Sequence, residues 1–123
     1  MLLKEFYEIS KIENQDENKY NAYIHLNKDH DIFKGHFPNN PITPGVCMVQ
    51  IVKELSSKIL NTNLRMQSSN NIKFMAVINP NNNSDLKLYL EYKENEDGTI
   101  HVKNITYFDD TVALKMSVIY QKI

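Results

Sequence analysis

The chain has 123 residues, of which 41% are apolar, and it carries 14 basic and 15 acidic side chains, for a net charge of −1. This length corresponds to one domain, which we expect to span residues 1–123 and to bury roughly two-thirds of its unfolded surface. The balanced charge excludes a generally basic nucleic-acid-binding protein and a highly charged disordered chain. The apolar runs fall far short of the ~20 residues of a membrane helix, so no membrane segment is expected.

The cysteine content and the N-terminal residues bear on the cellular compartment. Cys47 is the only cysteine, which excludes an internal disulfide and a cysteine-based metal cluster. Acidic residues at Glu5 and Glu8, with no apolar stretch around them, leave no secretory signal visible. We therefore expect a reduced, cytoplasmic protein.

The first half of the chain alternates between apolar and polar residues and then changes to a helical pattern. We predict that residues 5–12 and 20–26 form a hairpin, and the second segment shows the period of two that is typical of a half-buried strand. One long helix is predicted from Pro44 to about Leu60, because apolar side chains recur there at spacings of three and four. Thr43 suits the N-cap of this helix, and Pro44 suits its first turn.

The second half of the chain returns to the strand period. We predict strands over 72–78, 86–92, 100–107 and 112–120, with a hairpin turn at Asp97-Gly98. A change of apolar phase predicts a bulge near Asn104. The order of two strands, one helix and four meandering strands predicts an α+β fold with a mainly antiparallel sheet of about five to seven strands.

Residues 35–46, GHFPNNPITPGV, hold three of the four prolines and two of the three glycines of the chain. The loop leads into the helix, whose first backbone N–H groups around Gly45 can hold an anion or a polarised carbonyl oxygen. His36 lies in the same loop, where its imidazole can fold back over that helix end. A titratable imidazole beside a preformed oxyanion site suits proton abstraction next to a carbonyl. The other three histidines, and the seven tyrosines, are interpreted as surface or packing residues.

The spaced string His-Phe-Pro-x-x-Pro-x-x-Pro-Gly-Val in this loop resembles the signature of the 3-hydroxyacyl-acyl-carrier-protein dehydratases of fatty-acid synthesis, which have the hot-dog fold. The resemblance continues through the helix and through residues 72–80. It implies a long central helix wrapped by a strongly curved antiparallel sheet. It also implies a homodimer or higher homo-oligomer, with each active site at an interface between a loop histidine of one subunit and a helix carboxylate of the other.

The resemblance assigns roles residue by residue. His36 matches the catalytic base of the family, and Gly45 matches the residue whose backbone N–H polarises the thioester carbonyl. Phe37, Pro44 and Val46 match positions at the same substrate site. The resemblance implies no metal and no cofactor.

The chain departs from the family at the position of the acid. The family has Glu or Asp fourteen residues after the histidine, where this chain has Gln50, and an amide cannot supply a proton. Glu54 lies one helical turn later, where the family often has Gln, on the same helix face and ~6 Å along the axis. Two interpretations are open: Glu54 acts as the acid, directly or through a bound water, or it forms a solvated pair with Lys58.

Three functions follow from these residues. The first is a dehydratase that removes water from a 3-hydroxyacyl thioester to give the trans-2-enoyl product. The second is a hot-dog thioesterase, in which an acid and an amide position a water, and the third is a non-catalytic acyl-carrier-binding or partner subunit. Residues 51–75 contain four basic side chains and one acidic side chain, that of Glu54. That local positive charge suits an acidic carrier protein, although a coenzyme A thioester is the alternative substrate.

Overall fold

The computed structural model describes residues 4–35 and 41–123. These residues form six strands and two helices: β1 (Tyr7–Asp16), β2 (Lys19–Leu26), α1 (Asp31–Lys34), α2 (Gly45–Leu60), β3 (Leu64–Phe74), β4 (Asp85–Glu94), β5 (Ile100–Phe108) and β6 (Thr111–Lys122). All neighbouring strands pair antiparallel in one sheet with the order β1-β2-β4-β5-β6-β3. The α+β architecture predicted from the sequence, a hot-dog fold with one long central helix, is confirmed.

Helix α2 lies at the centre of the core. Its spacing of apolar residues produces one continuous buried face, made of Cys47, Met48, Ile51, Val52, Leu55 and Ser56. This face packs with the inward-facing residues of the sheet in one hydrophobic cluster. The opposite face of α2 is therefore left for polar residues. No helix in the described ranges is long and apolar enough to cross a membrane.

The predicted N-cap of α2 is wrong by one residue. Pro44 holds the N-cap position with an extended backbone (φ −61°, ψ 140°) and makes no side-chain cap hydrogen bond. Thr43 instead donates its backbone N–H to the Ile78 carbonyl oxygen at 2.9 Å. Its hydroxyl oxygen is buried and has no hydrogen-bond partner among the described residues. The other end matches expectation, since α2 ends at Leu60, followed by Asn61 in the left-handed conformation (φ 52°).

The strands in which apolar and polar residues alternate regularly lie close to their predicted positions. β1 and β2 form the predicted hairpin, and every second residue of β4 from Leu86 to Tyr92 is buried. Gly98 has φ 88°, the left-handed region that favours glycine, in the predicted turn before β5.

Strand β3 differs from the prediction in position and in neighbours. It covers Leu64–Phe74 rather than 72–78, and it lies at the sheet edge beside β6, so the last four strands are not a simple meander. Its middle residues, 67–71, are polar and exposed. An edge strand that buries neither face carries no apolar alternation, which is why the sequence pattern does not reveal it.

The bulge predicted near Asn104 is also displaced. Asn104 and Thr106 continue the buried face of β5, and the register shift lies between Thr106 and Tyr107. The Thr106 hydroxyl donates to Asn104 Oδ1 at 3.0 Å, and Asn104 Nδ2 donates to the Tyr89 carbonyl at 3.0 Å. Two polar residues that bond to each other and to the backbone can occupy core positions, which breaks the apolar pattern without breaking the strand.

Candidate active site

Gln50 and Glu54 lie one turn apart on the half-buried, polar face of α2. The Gln50 amide donates through Nε2 to Glu54 Oε2 at 3.0 Å, and the Tyr7 hydroxyl donates to Glu54 Oε1 at 2.9 Å. Each carboxylate oxygen thus accepts a hydrogen bond from another side chain of the same subunit. Lys58, the partner in the alternative interpretation of Glu54, is exposed.

A groove of about 500 Å³ runs along this face of the helix. Its lining includes Gln50, Lys53, Glu54 and Ser57 from α2 and Leu64 from the start of β3. The groove combines a carboxylate, an amide, a hydroxyl and a cation with apolar surface. Such a mixture, at this size, is typical of sites that hold a small molecule with a polar head and an apolar body.

Tyr7 is the residue of this cluster that the sequence did not reveal. It is the first residue of β1, and its ring packs partly against the core. Burial raises the pKa of the Tyr7 hydroxyl, and the hydrogen bond to Glu54 and the charge of that carboxylate raise the pKa further. The hydroxyl therefore keeps its proton at neutral pH and is a hydrogen-bond donor. Its contact joins residues 47 positions apart, so no local sequence pattern could have indicated it.

Gly45 begins α2 in a tightly packed position. A Cβ atom on this residue would lie 2.7 Å from Cζ of Phe74, so the Phe74 ring would have to move to make room for it. Phe74, which is 55% exposed, therefore lies directly over the first turn of the helix. The first N–H groups of a helix lack intrahelical acceptors, so this end offers donors to a ligand. The neighbouring Val46 is 67% exposed, and Pro44 is half-buried.

His36 and Phe37 lie outside the described residues, and their roles remain predictions. The chain on either side of them is fixed in the core, since Phe33 and Pro41 are buried. Of the predicted site residues that are described, Gln50 and Glu54 are in contact with each other, and Tyr7 joins them through Glu54.

The other candidate reactive groups have structural contacts. His25 Nδ1 lies 2.8 Å from an Asp85 carboxylate oxygen on the exposed side of the sheet, and His101 Nε2 lies 2.6 Å from the Ser117 hydroxyl. His30 accepts a hydrogen bond from Ile32 N–H at the start of α1. Across the described ranges, no three His, Cys, Asp or Glu residues are grouped in a way that could hold a metal ion. The Cys47 thiol is buried, and burial raises its pKa.

Sequence comparison places the chain among dehydratases. Residues 12–112 match the family described as ApeI-like, ApeI dehydratase. Among curated relatives, a 3-hydroxyacyl-[acyl-carrier-protein] dehydratase FabZ of Helicobacter pylori is 40% identical over 53 residues, which cover 43% of this chain and 33% of that protein. The FabZ of another Helicobacter pylori strain is 49% identical over 39 residues, which cover 32% of this chain and 24% of that protein. The alignments therefore span about a third or less of these relatives.

Structural comparison shows the fold. The dehydratase heterocomplex ApeI:P from Xenorhabdus doucetiae superposes with a TM-score of 0.73 at 20% identity, over 92% of this chain and 96% of that chain. A mutant thioesterase from Pseudomonas aeruginosa superposes with a TM-score of 0.65 at 12% identity, over 94% of this chain and 81% of that chain. Both likenesses are in the hot-dog fold alone. Because the family match covers most of the chain, this protein belongs to the ApeI-like dehydratase family.

Proposed function

We propose that this protein is a cytoplasmic dehydratase that removes water from 3-hydroxyacyl thioesters on acyl carrier protein, in fatty-acid or related lipid or polyene biosynthesis. The observation that carries the proposal is the Glu54 carboxylate, which Gln50 and Tyr7 hold at the groove of a chain from a dehydratase family. A carboxylic acid can give a departing hydroxide the proton that it needs, whereas an amide cannot. Glu54 thus supplies the function that Gln50 lacks.

In the proposed reaction, His36 removes the proton from the carbon next to the thioester carbonyl, and the electron pair of that C–H bond forms the new C–C double bond. The Gly45 N–H holds the carbonyl oxygen while negative charge builds up on it. The C–O bond to the 3-hydroxyl breaks, and the departing hydroxide takes a proton from Glu54, directly or through a water, and leaves as water. Transfer of the proton from His36 to the Glu54 carboxylate restores both groups.

We infer that a second copy of the chain completes the site. Gly45 and Glu54 are nine residues apart on α2, which is about 14 Å along the helix axis. A single thioester head group cannot contact both residues of one helix, so Glu54 of one subunit must serve the Gly45 and His36 of another. Strand β3 lies at the edge of the sheet with polar, exposed residues, and an uncovered edge favours pairing with another strand.

We therefore expect the protein to sediment at about twice its monomer mass of 14.4 kDa. Asn70→Lys in the middle of β3 should raise the dissociation constant of the dimer by roughly tenfold, because two like charges then meet at the strand edge. Asn18→Lys, in the exposed turn between β1 and β2, is the matched control and should leave the dissociation constant of the dimer unchanged. A stable monomer of the unmodified protein at micromolar concentration would remove the basis of the shared site.

A thioesterase is the second candidate. The 3.0 Å contact between Gln50 and Glu54 is an amide–acid pair of the kind that can hold a water for attack on the same carbonyl. In that reaction the bond between the acyl carbon and sulfur breaks, and a free thiol and a carboxylic acid are formed.

Incubation of the purified full chain with 3-hydroxyacyl thioesters tests the proposal. The same acyl group is offered on acyl carrier protein and on coenzyme A, and the products are identified by mass spectrometry. We expect a product lighter by one water, formed faster from the carrier-bound substrate. Free thiol would instead identify a thioesterase, and unchanged substrate would leave the non-catalytic carrier-binding or partner subunit.

A further inference from the structure

We propose that Tyr7 is a positioning residue of this site: its hydroxyl fixes the Glu54 carboxylate, and the carboxylate in turn fixes the amide of Gln50. This inference rests on the proposed function, in which Glu54 and Gln50 face the substrate. The three side chains form one chain of hydrogen bonds, with 2.9 Å from the Tyr7 hydroxyl to Oε1 and 3.0 Å from Gln50 Nε2 to Oε2. Tyr7 is the member that comes from outside the helix.

Tyr7 is suited to this task because the start of β1 is rigidly held. The preceding Phe6 is fully buried, stacks on Phe33 with ring centroids 5.2 Å apart and meets the edge of His30 at 5.3 Å. Its carbonyl accepts a hydrogen bond from Asn27 N–H at 2.8 Å. The backbone therefore delivers the Tyr7 ring to one place, and a side chain locked in this way can hold a partner in a fixed geometry.

The carboxylate then determines how the Gln50 amide is oriented. Gln50 Nε2 lies 3.0 Å from Glu54 Oε2, so the NH₂ end of the amide faces the carboxyl group. The amide oxygen of Gln50 is consequently turned away from Glu54. Without the Tyr7 hydroxyl, Glu54 Oε1 loses the hydrogen bond from β1, so the carboxyl group and the amide that faces it are held less firmly.

The protonation state of the Tyr7 hydroxyl indicates that this residue orients Glu54 rather than donating a proton to the substrate. Burial, together with the neighbouring carboxylate, raises the pKa of the Tyr7 hydroxyl, so it holds its proton throughout the neutral range. A group that keeps its proton so firmly is a poor acid for the departing hydroxide. Its contribution is therefore the hydrogen bond to Glu54.

Tyr7→Phe tests the inference, because it removes only the hydroxyl and keeps the ring. We expect kcat to fall roughly tenfold while KM changes by less than about twofold, the effect of one hydrogen bond to a charged group that orients rather than binds. The side-chain amide resonances of Gln50, assigned by their loss in Gln50→Glu, should shift in the same variant. Tyr89→Phe is the matched control, since Tyr89 donates to Glu91 at 2.7 Å on the other side of the sheet. It should change neither the kinetic constants nor the Gln50 amide resonances.

The outcomes separate this inference from the proposed function. Gln50 amide resonances that shift no more in Tyr7→Phe than in Tyr89→Phe would overturn the inference, whatever the activity. A shift with kcat equal to that of the unmodified protein would also overturn it. If the unmodified protein turns over no 3-hydroxyacyl thioester, the proposed dehydration fails, and the amide resonances alone decide whether Tyr7 holds the pair. If Tyr7→Phe does not fold, a slowly exchanging Tyr7 hydroxyl proton in the unmodified protein supports the inference, and its absence contradicts it.

Discussion

Replacement of His36 by alanine is expected to lower the turnover of 3-hydroxyacyl thioesters by two or more orders of magnitude. A proton next to a thioester carbonyl is weakly acidic, so its removal needs a positioned base as well as a donor on the carbonyl oxygen. His36 is the one residue of the loop 35–46 with an ionisable side chain, and an imidazole is a common general base. The measurement is kcat with the carrier-bound substrate, with circular dichroism to show that the variant is folded.

The control for this prediction is His101→Ala. His101 lies on β5 and contacts the Ser117 hydroxyl at 2.6 Å, so its loss should leave turnover within about twofold. A His36→Ala protein with the full rate would show that the base is another group.

The second large effect is expected at Glu54. Glu54→Gln should abolish turnover, because an amide then replaces the carboxyl group that gives the hydroxide its proton. Gln50→Glu should lower turnover as well, since it replaces the 3.0 Å amide–carboxylate hydrogen bond by two carboxylates in contact. Like charges at that separation raise at least one pKa and force the side chains apart. Both variants are assayed for kcat and KM over a range of pH.

The sign of the change at position 50 decides between the two interpretations of Glu54. If Glu54 were only a structural residue, Gln50→Glu would place an acid at the position where the resemblance implies one and would raise activity. In that case Glu54→Gln would change little. Lys58→Gln, at an exposed position one turn further along α2, is the control and should behave like the unmodified protein.

The parts of the fold that the sequence predicted are those where burial is one-sided. Helix α2 and strand β4 each bury one face, so their apolar residues recur with the period of the element. Strand β3 buries little at the sheet edge, and its polar residues 67–71 carry no period. Asn104 interrupts the apolar pattern of β5 although it is buried, because Thr106 and the Tyr89 carbonyl satisfy its amide.

The candidate site divides in the same way. The shared face of Gln50 and Glu54 follows from helix geometry, and the contact between them is observed. Tyr7 could not be predicted, since its hydroxyl reaches Glu54 across 47 positions of the chain rather than through any local spacing. The closeness of Phe74 to Gly45 is likewise a product of the tertiary fold. Contacts between residues close together on one helix could thus be predicted from the sequence, whereas contacts between distant segments could not.

Complementation between two inactive variants tests the shared site most directly. His36→Ala and Glu54→Gln chains with different affinity tags are produced together, and the mixed dimers are purified through both tags. If His36 of one subunit works with Glu54 of the other, each mixed dimer holds one intact site and one doubly altered site, and should regain roughly half of the activity of the unmodified dimer. Mixed dimers as inactive as either variant alone would contradict a dehydratase site built from His36 and Glu54 across the interface.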